Sequence, residues 1–285
     1  MRYSFVTIDV FTERRFCGNQ LAVFPEAKGL SGEQMQALAG EFGYAESTFV
    51  LPAKEQGNDA QVRIFTPVKE LGFAGHPNIG TAAVLHGLGR VGDEVQFEEG
   101  AGLVPLKREE DGSWFLDAPQ ALQRFGQVEK DLAARSIGLE VEDVCEELFA
   151  PAVASTGNPF LFVEVATEEA LLRAEPEVSL HREFEGYLGV YVFLRKATEE
   201  GHAVRTRMFA PAAGVYEDAA TGSAALTLGG LLAEATGIAE TVIQQGLEMG
   251  RPSTLVTRQV LEEGKAVRCS VGGKSVVMFE GSVEV

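Results

Sequence analysis

Gly75-His76-Pro77-Asn78-Ile79-Gly80-Thr81-Ala82-Ala83 is the stretch that decides the fold, because a similar stretch follows later in the chain. The first copy is preceded by Arg63-Ile64-Phe65-Thr66-Pro67. The second copy reads Arg207-Met208-Phe209-Ala210-Pro211, followed by Glu217-Asp218-Ala219-Ala220-Thr221-Gly222-Ser223-Ala224-Ala225. A repeat of this length predicts two copies of one domain within the 285 residues.

The two copies differ in their ionisable groups. An offset of 142 residues sets Gly80 on Gly222, and the same offset sets His76 on Asp218. His76 and Asp218 are therefore the residues at which we first look for chemistry. As an alternative for each residue, the imidazole caps a turn and the carboxylate caps the following helix.

The segments after the two glycines predict a buried helix in each half. Residues 81–88 and 223–232 are apolar nearly all round, which is typical of a helix without a solvent-facing side. Runs such as 6–11 and 47–51 predict strands around that helix. We therefore expect an α+β protein in which each half is a sheet curled around a buried helix. The turn-rich region near Pro119 predicts domains 1–118 and 119–285, with the last strand able to pack back on the first domain.

Composition restricts the classes of partner. The formal net charge of −18 disfavours nucleic acids and anionic membranes. No apolar run is long enough for a membrane span, and charges interrupt the opening segment too early for a secretory signal, so we expect a cytoplasmic protein.

No signature of a metal or a coenzyme stands out in the sequence. The three cysteines and four histidines lack the spacing of metal ligands. A Gly-x-Gly-x-x-Gly run at 87–92 follows a predicted helix and does not precede one, which disfavours a dinucleotide site. We therefore expect no cofactor.

Both copies of the repeat predict an anion site. Each runs from a strand through a glycine-bearing turn into a helix, and unpaired N–H groups at a helix N-terminus attract carboxylates. The proposed substrate-binding residues are Gly75, Gly80, Thr81, Gly222 and Ser223. As an alternative, the hydroxyls cap helices and the glycines ease packing. Between two such domains, His76 and Asp218 would face each other across a cleft and hold a zwitterionic ligand.

The motifs taken together resemble the phenazine biosynthesis PhzF-like isomerases, over nearly the whole chain. The stretches that carry the resemblance are Gly18-Asn19, Ala45-Glu46-Ser47-Thr48-Phe49-Val50, Arg63-x-Phe65-x-Pro67, Gly75-His76-Pro77-x-x-Gly80, Glu217-Asp218-x-x-Thr221-Gly222-Ser223-Ala224 and Gly250-Arg251-Pro252-Ser253. The chain departs from the family pattern at Gln20 and Ala219, where proline is usual. That change makes the local loop geometry less certain.

The resemblance implies the two-domain, pseudo-symmetric diaminopimelate epimerase-like fold, with a barrel-like sheet around a central helix in each half. It implies a cofactor-independent isomerase and a homodimer. In that picture Glu46 shuttles a proton, His76 and Asp218 position the substrate, and Ser223 with adjoining amides holds a carboxylate.

Three functions are compatible with the sequence. The leading hypothesis is an isomerase that moves a proton on a small carboxylate-bearing substrate in an interdomain cleft. The first alternative is an amino-acid epimerase or racemase, which the resemblance disfavours because those relatives use two cysteines where this chain has His76 and Asp218. The second alternative is a non-catalytic small-molecule binding protein of the same fold, which would not need the acid/base group Glu46.

Overall fold

The chain forms two compact units in a computed structural model, which describes residues 1–183, 186–198 and 201–285. The first unit comprises Met1–Asp117 and Gly272–Val285, and the second comprises Ala118–Val271. The division at residue 117 lies beside the boundary that the sequence predicts near Pro119. The C-terminal segment belongs to the first unit, which is the alternative that the sequence left open.

Most of the described chain is in regular secondary structure. The strands are β1 (Arg2–Val10), β2 (Asn19–Phe24), β3 (Glu46–Leu51), β4 (Ala60–Phe65), β5 (Glu70–Leu71), β6 (Glu94–Glu99), β7 (Gly102–Arg108), β8 (Trp114–Asp117), β9 (Gln123–Gln127), β10 (Ala152–Ser155), β11 (Pro159–Glu164), β12 (Val190–Thr198), β13 (Gly201–Ala210), β14 (Val215–Asp218), β15 (Glu240–Gln245), β16 (Ser253–Glu262), β17 (Lys265–Gly273) and β18 (Ser275–Glu284). The α-helices are α1 (Gly32–Phe42), α2 (Gly75–Gly87), α3 (Lys130–Ser136), α4 (Glu168–Arg173), α5 (Val178–Glu183) and α6 (Gly222–Thr236), and short 3-10 helices cover Val141–Asp143 and Pro211–Ala213.

The sheet of the first unit curls around α2. Strand β1 lies between β18 and β2, with antiparallel pairing to both. The sheet continues through β3, β4, β6, β7 and β8, with parallel pairing in β2–β3 and β4–β6. Helix α2 contacts β18 and β1 near one end of this succession of strands, and it contacts β7 and β8 at the other end. This arrangement explains why the helix is apolar nearly all round.

The second unit repeats the succession of strand pairings. Its order is β9, β10, β11, β12, β13, β15 and β16, with parallel pairs β11–β12 and β13–β15 in the places of β2–β3 and β4–β6. Helix α6 contacts β10, β11, β15 and β16. Its glycines allow this approach, because a Cβ on Gly229 would lie 2.4 Å from the Thr257 hydroxyl oxygen. The structure therefore shows an α+β chain with a buried helix in each unit.

Local sequence signals set both ends of α1. Ser31 and Gln34 form a capping box, with each side chain bonded to the other residue's backbone N–H. Gly43 ends the helix in the left-handed conformation at φ 64°, which glycine adopts without a Cβ clash. The apolar face of α1 packs on the sheet through Met35, Leu38 and Ala39.

The start of α2 corrects the sequence-based prediction. The helix begins at Gly75 and not after Gly80. Pro77 is tolerated because it lies in the first turn, where a missing N–H breaks no helical hydrogen bond. Gly80 and Thr81 consequently lie inside the helix, whereas α6 begins at Gly222, one residue before the segment 223–232 that the sequence predicts.

The Arg-x-Phe-x-Pro motif forms the same clamp in each unit. The guanidinium of Arg63 binds Glu70 with two hydrogen bonds of 2.7 and 2.8 Å and lies 5.1 Å above the ring of Phe65. In the second unit Arg207 binds Glu217 with bonds of 2.8 and 2.9 Å and lies 4.8 Å above the ring of Phe209. This part of the repeat therefore joins strands and does not carry chemistry.

Candidate active site

Three elements of the first unit bring Glu46, Asn19 and His76 together. Glu46 begins β3 and pairs in register with Leu21 of the parallel strand β2. Asn19 begins β2, and His76 is the second residue of α2, which packs against β2 and β3. The parallel pairing places the beginnings of β2 and β3 side by side at the N-terminal end of α2.

Glu46 and His76 are in direct contact. Nε2 of His76 lies 3.4 Å from Oε2 of Glu46, an approach that lacks the angle of a hydrogen bond. The Glu46 side chain retains 17% exposure, whereas that of His76 retains 5%. The Glu46 side chain is therefore partly exposed, while its Oε2 is buried beside the imidazole of His76.

His76 is a neutral imidazole at physiological pH. Burial lowers the pKa of His76 to about 3, and a hydrogen bond to the backbone of Gln20 opposes that shift. Nδ1 of the ring lies 3.5 Å from Nδ2 of Asn19. The contact with Glu46 is therefore not an ion pair, because the imidazole carries no charge.

Gly80 and Thr81 are core residues of the first unit. A Cβ on Gly80 would lie 2.6 Å from a methyl carbon of Leu21, so the helix needs glycine for close packing. Thr81 is fully buried, and its hydroxyl bonds to that of Thr48 at 2.8 Å. The prediction that their amides lie free at the helix start is wrong, because the unpaired N–H groups of the first turn are those of Gly75 and His76.

Glu99, at the end of β6, is a buried carboxyl group that the sequence did not indicate. Within the described residues, neither carboxyl oxygen has a hydrogen-bond partner. Burial raises the pKa of Glu99 to about 8. Glu99 is therefore a neutral carboxylic acid over most of the physiological pH range.

The raised pKa of Glu99 predicts that stability falls with rising pH. Between its usual value of 4.5 and about 8, the folded state holds a proton that the unfolded state has released. The free energy of unfolding should therefore decrease through this window, with an upper bound of about 1.4 kcal/mol for each pKa unit. Urea unfolding of Glu99→Gln and wild type at about pH 5 and about pH 8 measures the effect.

We expect the free energy of unfolding of Glu99→Gln to decrease less than that of wild type between about pH 5 and about pH 8. The amide keeps the shape of the side chain but does not titrate. Glu94→Gln is the matched control, since Glu94 lies exposed at the start of the same strand. The control should keep the wild-type dependence on pH. A Glu99→Gln protein that loses as much stability as wild type would contradict the assignment.

In the second unit Asp218 ends β14, and three residues separate it from α6. Gly222 and Ser223 occupy the first turn of the helix, where N–H groups lack helical partners. The hydroxyl of Thr221 donates to Oδ2 of Asp218 at 2.6 Å. Asp218, Gly222 and Ser223 are therefore neighbours at the start of α6, as the sequence predicts.

Among residues 1–183, 186–198 and 201–285, no cluster of three or more His, Cys, Asp or Glu side chains is arranged to hold a metal ion. In the same residues, no helix combines the length and the apolar character that crossing a membrane requires.

Comparison with known proteins decides the family. Residues 8–281 match the family described as phenazine biosynthesis-like protein. The chain belongs to this family. A member from Pseudomonas aeruginosa, trans-2,3-dihydro-3-hydroxyanthranilate isomerase, is 38% identical over 290 residues, which cover 98% of each chain. An uncharacterised isomerase of Mesorhizobium japonicum is 34% identical over 303 residues, again with 98% of each chain covered.

Solved structures agree with this membership. A phenazine biosynthesis protein of the PhzF family from Bacillus anthracis superposes with a TM-score of 0.88 at 26% identity, and the match covers 100% of both chains. The predicted resemblance is confirmed, and so is the prediction of an isomerase within the phenazine biosynthesis-like family.

The sequence did not indicate four further buried polar side chains, one in the first unit and three in the second. Glu99 carried no motif, and its burial follows from the packing of β6. The buried side chains of Tyr191, Thr206 and Gln245, which connect to Asp218, lie on three strands far apart in sequence. Only the strand register could have identified them.

Proposed function

We propose that this member of the phenazine biosynthesis-like family moves a proton on a small carboxylate-bearing molecule without a cofactor. The observation that carries the proposal is the contact of Glu46 with the neutral, buried imidazole of His76. A carboxyl group beside a polar but uncharged partner can exchange a proton without being fixed in an ion pair.

In the proposed reaction Glu46 acts as base and then as acid. Its carboxylate takes a proton from one carbon of the substrate, and the electrons of that C–H bond shift into the adjoining double-bond system. The protonated Glu46 returns the proton to a second carbon. Formula and charge of the substrate are unchanged, as an isomerisation requires. The imidazole of His76 orients the reacting groups and contributes no net charge.

The helix starts supply the proposed binding groups. First-turn N–H groups of Gly75 and His76 in α2, and of Gly222 and Ser223 in α6, suit a carboxylate. Asp218 is proposed to accept hydrogen bonds from the substrate's donor groups. Helix-start amides can bind an anion although the whole chain carries a net charge of −18.

The test also distinguishes two alternative functions. An amino-acid epimerase would exchange the proton at a single carbon, and a non-catalytic binding protein would exchange none. The interdomain cleft, the pseudo-symmetry of the domains, the homodimer and the cytoplasmic location stay predictions.

The test uses the substrate in the name of the Pseudomonas aeruginosa relative, trans-2,3-dihydro-3-hydroxyanthranilate. Chelator-treated, dialysed protein is incubated with this compound in D₂O, and the product is followed by NMR. We expect rearrangement of the ring double bonds with deuterium at one carbon. Activity that returns only after adding a metal or coenzyme would refute cofactor independence.

The other outcomes separate the alternatives. Deuterium uptake at an α-carbon without double-bond movement, in a panel of amino acids and hydroxyacids, would favour the epimerase. Ligand binding with neither turnover nor deuterium uptake across the panel would favour the binding protein.

A further inference from the structure

Gln245, the last residue of β15, is a fully buried side chain bonded at both ends of its amide. Its Oε1 accepts from the hydroxyl of Tyr191 at 2.9 Å and from the backbone N–H of Thr221 at 3.1 Å. Its Nε2 donates to the backbone carbonyl of Asp218 at 2.8 Å and to Oγ1 of Thr221 at 3.0 Å. Four hydrogen bonds thus connect one side chain to the segment that carries Asp218.

The backbone fixes the orientation of the Gln245 amide. A reversed amide would place its oxygen against the carbonyl of Asp218 and its NH₂ group against the N–H of Thr221. Neither backbone group can change its role, so both contacts would become repulsive. The observed orientation is therefore the one in which every bond pairs a donor with an acceptor.

This orientation in turn fixes the hydroxyl of Thr221. Oγ1 of Thr221 accepts from Nε2 of Gln245, which can only donate. The single hydroxyl proton then points to Oδ2 of Asp218, 2.6 Å away. Hydrogen bonds are thus donated from Gln245 to Thr221 and from Thr221 to Asp218, so Oδ2 of Asp218 is an acceptor. A donated hydrogen bond favours the ionised form of a carboxyl group.

The chain after Gln245 holds this arrangement in place. Gly246 adopts φ +75°, and a Cβ there would lie 2.6 Å from the carbonyl oxygen of Ala219. The hydroxyl of Ser253 donates to the same carbonyl at 2.9 Å. The loop between β14 and α6 therefore rests directly on the end of β15.

We propose that Gln245 is a positioning residue for Asp218, which it orients through the hydroxyl of Thr221. The proposal rests on the proposed function, in which Asp218 holds donor groups of the substrate. Gln245 itself need not touch the substrate.

Two titratable side chains border this chain of hydrogen bonds. Burial raises the pKa of Tyr191, so it remains a neutral phenol that donates to Gln245. Thr206 completes the chain by donating to the phenol oxygen at 3.1 Å. The carboxylate of Glu217, next to Asp218, is bound by Arg207 through two hydrogen bonds.

The test is a ¹³C-carboxyl NMR titration of Asp218, assigned by comparison with Asp218→Asn. Thr221→Val removes the hydroxyl at nearly constant shape, and we expect the titration midpoint of Asp218 to rise by about one pH unit. Thr221→Ser retains the hydroxyl and should keep the wild-type midpoint. Gln245→Met should shift the midpoint in the same direction as Thr221→Val, because the Thr221 hydroxyl is then free to rotate.

The variants keep the proposal falsifiable even if Gln245→Met does not fold. A folded Thr221→Val protein with the wild-type midpoint would overturn it, and so would a folded Gln245→Met protein with that midpoint. Turnover of trans-2,3-dihydro-3-hydroxyanthranilate is measured separately, and we expect kcat/KM to fall about tenfold in Thr221→Val but not in Thr221→Ser.

The two readouts separate the two proposals. Suppose that the midpoint shifts in Thr221→Val and that the wild-type protein turns over neither trans-2,3-dihydro-3-hydroxyanthranilate nor any member of the panel of amino acids and hydroxyacids. That result would refute the proposed function and support the positioning role. Normal turnover with an unshifted midpoint would refute the positioning role alone.

Discussion

Glu46→Gln should lower turnover by about 10² to 10⁴, because the amide keeps the shape of the side chain but can neither take nor return a proton. Substrate binding should change little, since glutamine retains the hydrogen-bonding oxygen. The measurement is kcat and KM for trans-2,3-dihydro-3-hydroxyanthranilate, together with deuterium incorporation from D₂O. The predicted effect is therefore a loss of kcat at nearly constant KM.

Glu41→Gln is the matched control, because Glu41 is an exposed glutamate of α1 only five residues earlier in the sequence. This control should retain wild-type rates. His76→Asn and Asp218→Asn should raise KM as well as lower kcat, since both residues are proposed to hold the substrate. If Glu46→Gln retained near-normal turnover and deuterium uptake, the proton would have to move through another group.

Arg207→Met should lower the free energy of unfolding by about 3–5 kcal/mol. The guanidinium of Arg207 is buried, and its partner Glu217 would be left as an uncompensated carboxylate. Nη1 of Arg207 also donates to the backbone carbonyls of Leu171, Leu172 and Ala174 at the end of α4. Methionine keeps the apolar contacts of the stem but satisfies none of these acceptors.

The internal repeat supplies the control for this prediction. Arg63→Met breaks the corresponding clamp with Glu70, but there the two side chains are 26% and 43% exposed, against 9% and 11% for Arg207 and Glu217. Water can solvate the remaining carboxylate, so the loss should be about 1 kcal/mol or less. Urea unfolding followed by circular dichroism compares the two, and equal losses would show that burial does not decide the value of the clamp.

The sequence by itself determined the features that depend on local pattern. The capping box at Ser31 and the left-handed glycine at Gly43 set the ends of α1, because their partners lie within one helical turn. The apolar segments after Gly80 and Gly222 predicted buried helices, since a helix without a polar side has to be enclosed. The repeat predicted two copies of one domain, and the order of parallel and antiparallel strand pairs is the same in the two units.

The tertiary structure decided the features that depend on contacts distant in sequence. Helix α2 begins at Gly75, and Gly80 became a packing residue because Leu21 of β2 occupies the space where a Cβ would project. Strand register placed Gln245 beneath Asp218. The two Arg-x-Phe-x-Pro motifs have the same sequence pattern, yet only in the second are the arginine and its glutamate partner nearly buried. Burial is set by what the rest of the chain packs over a residue, and that information is not contained in the residue's own neighbourhood in the sequence.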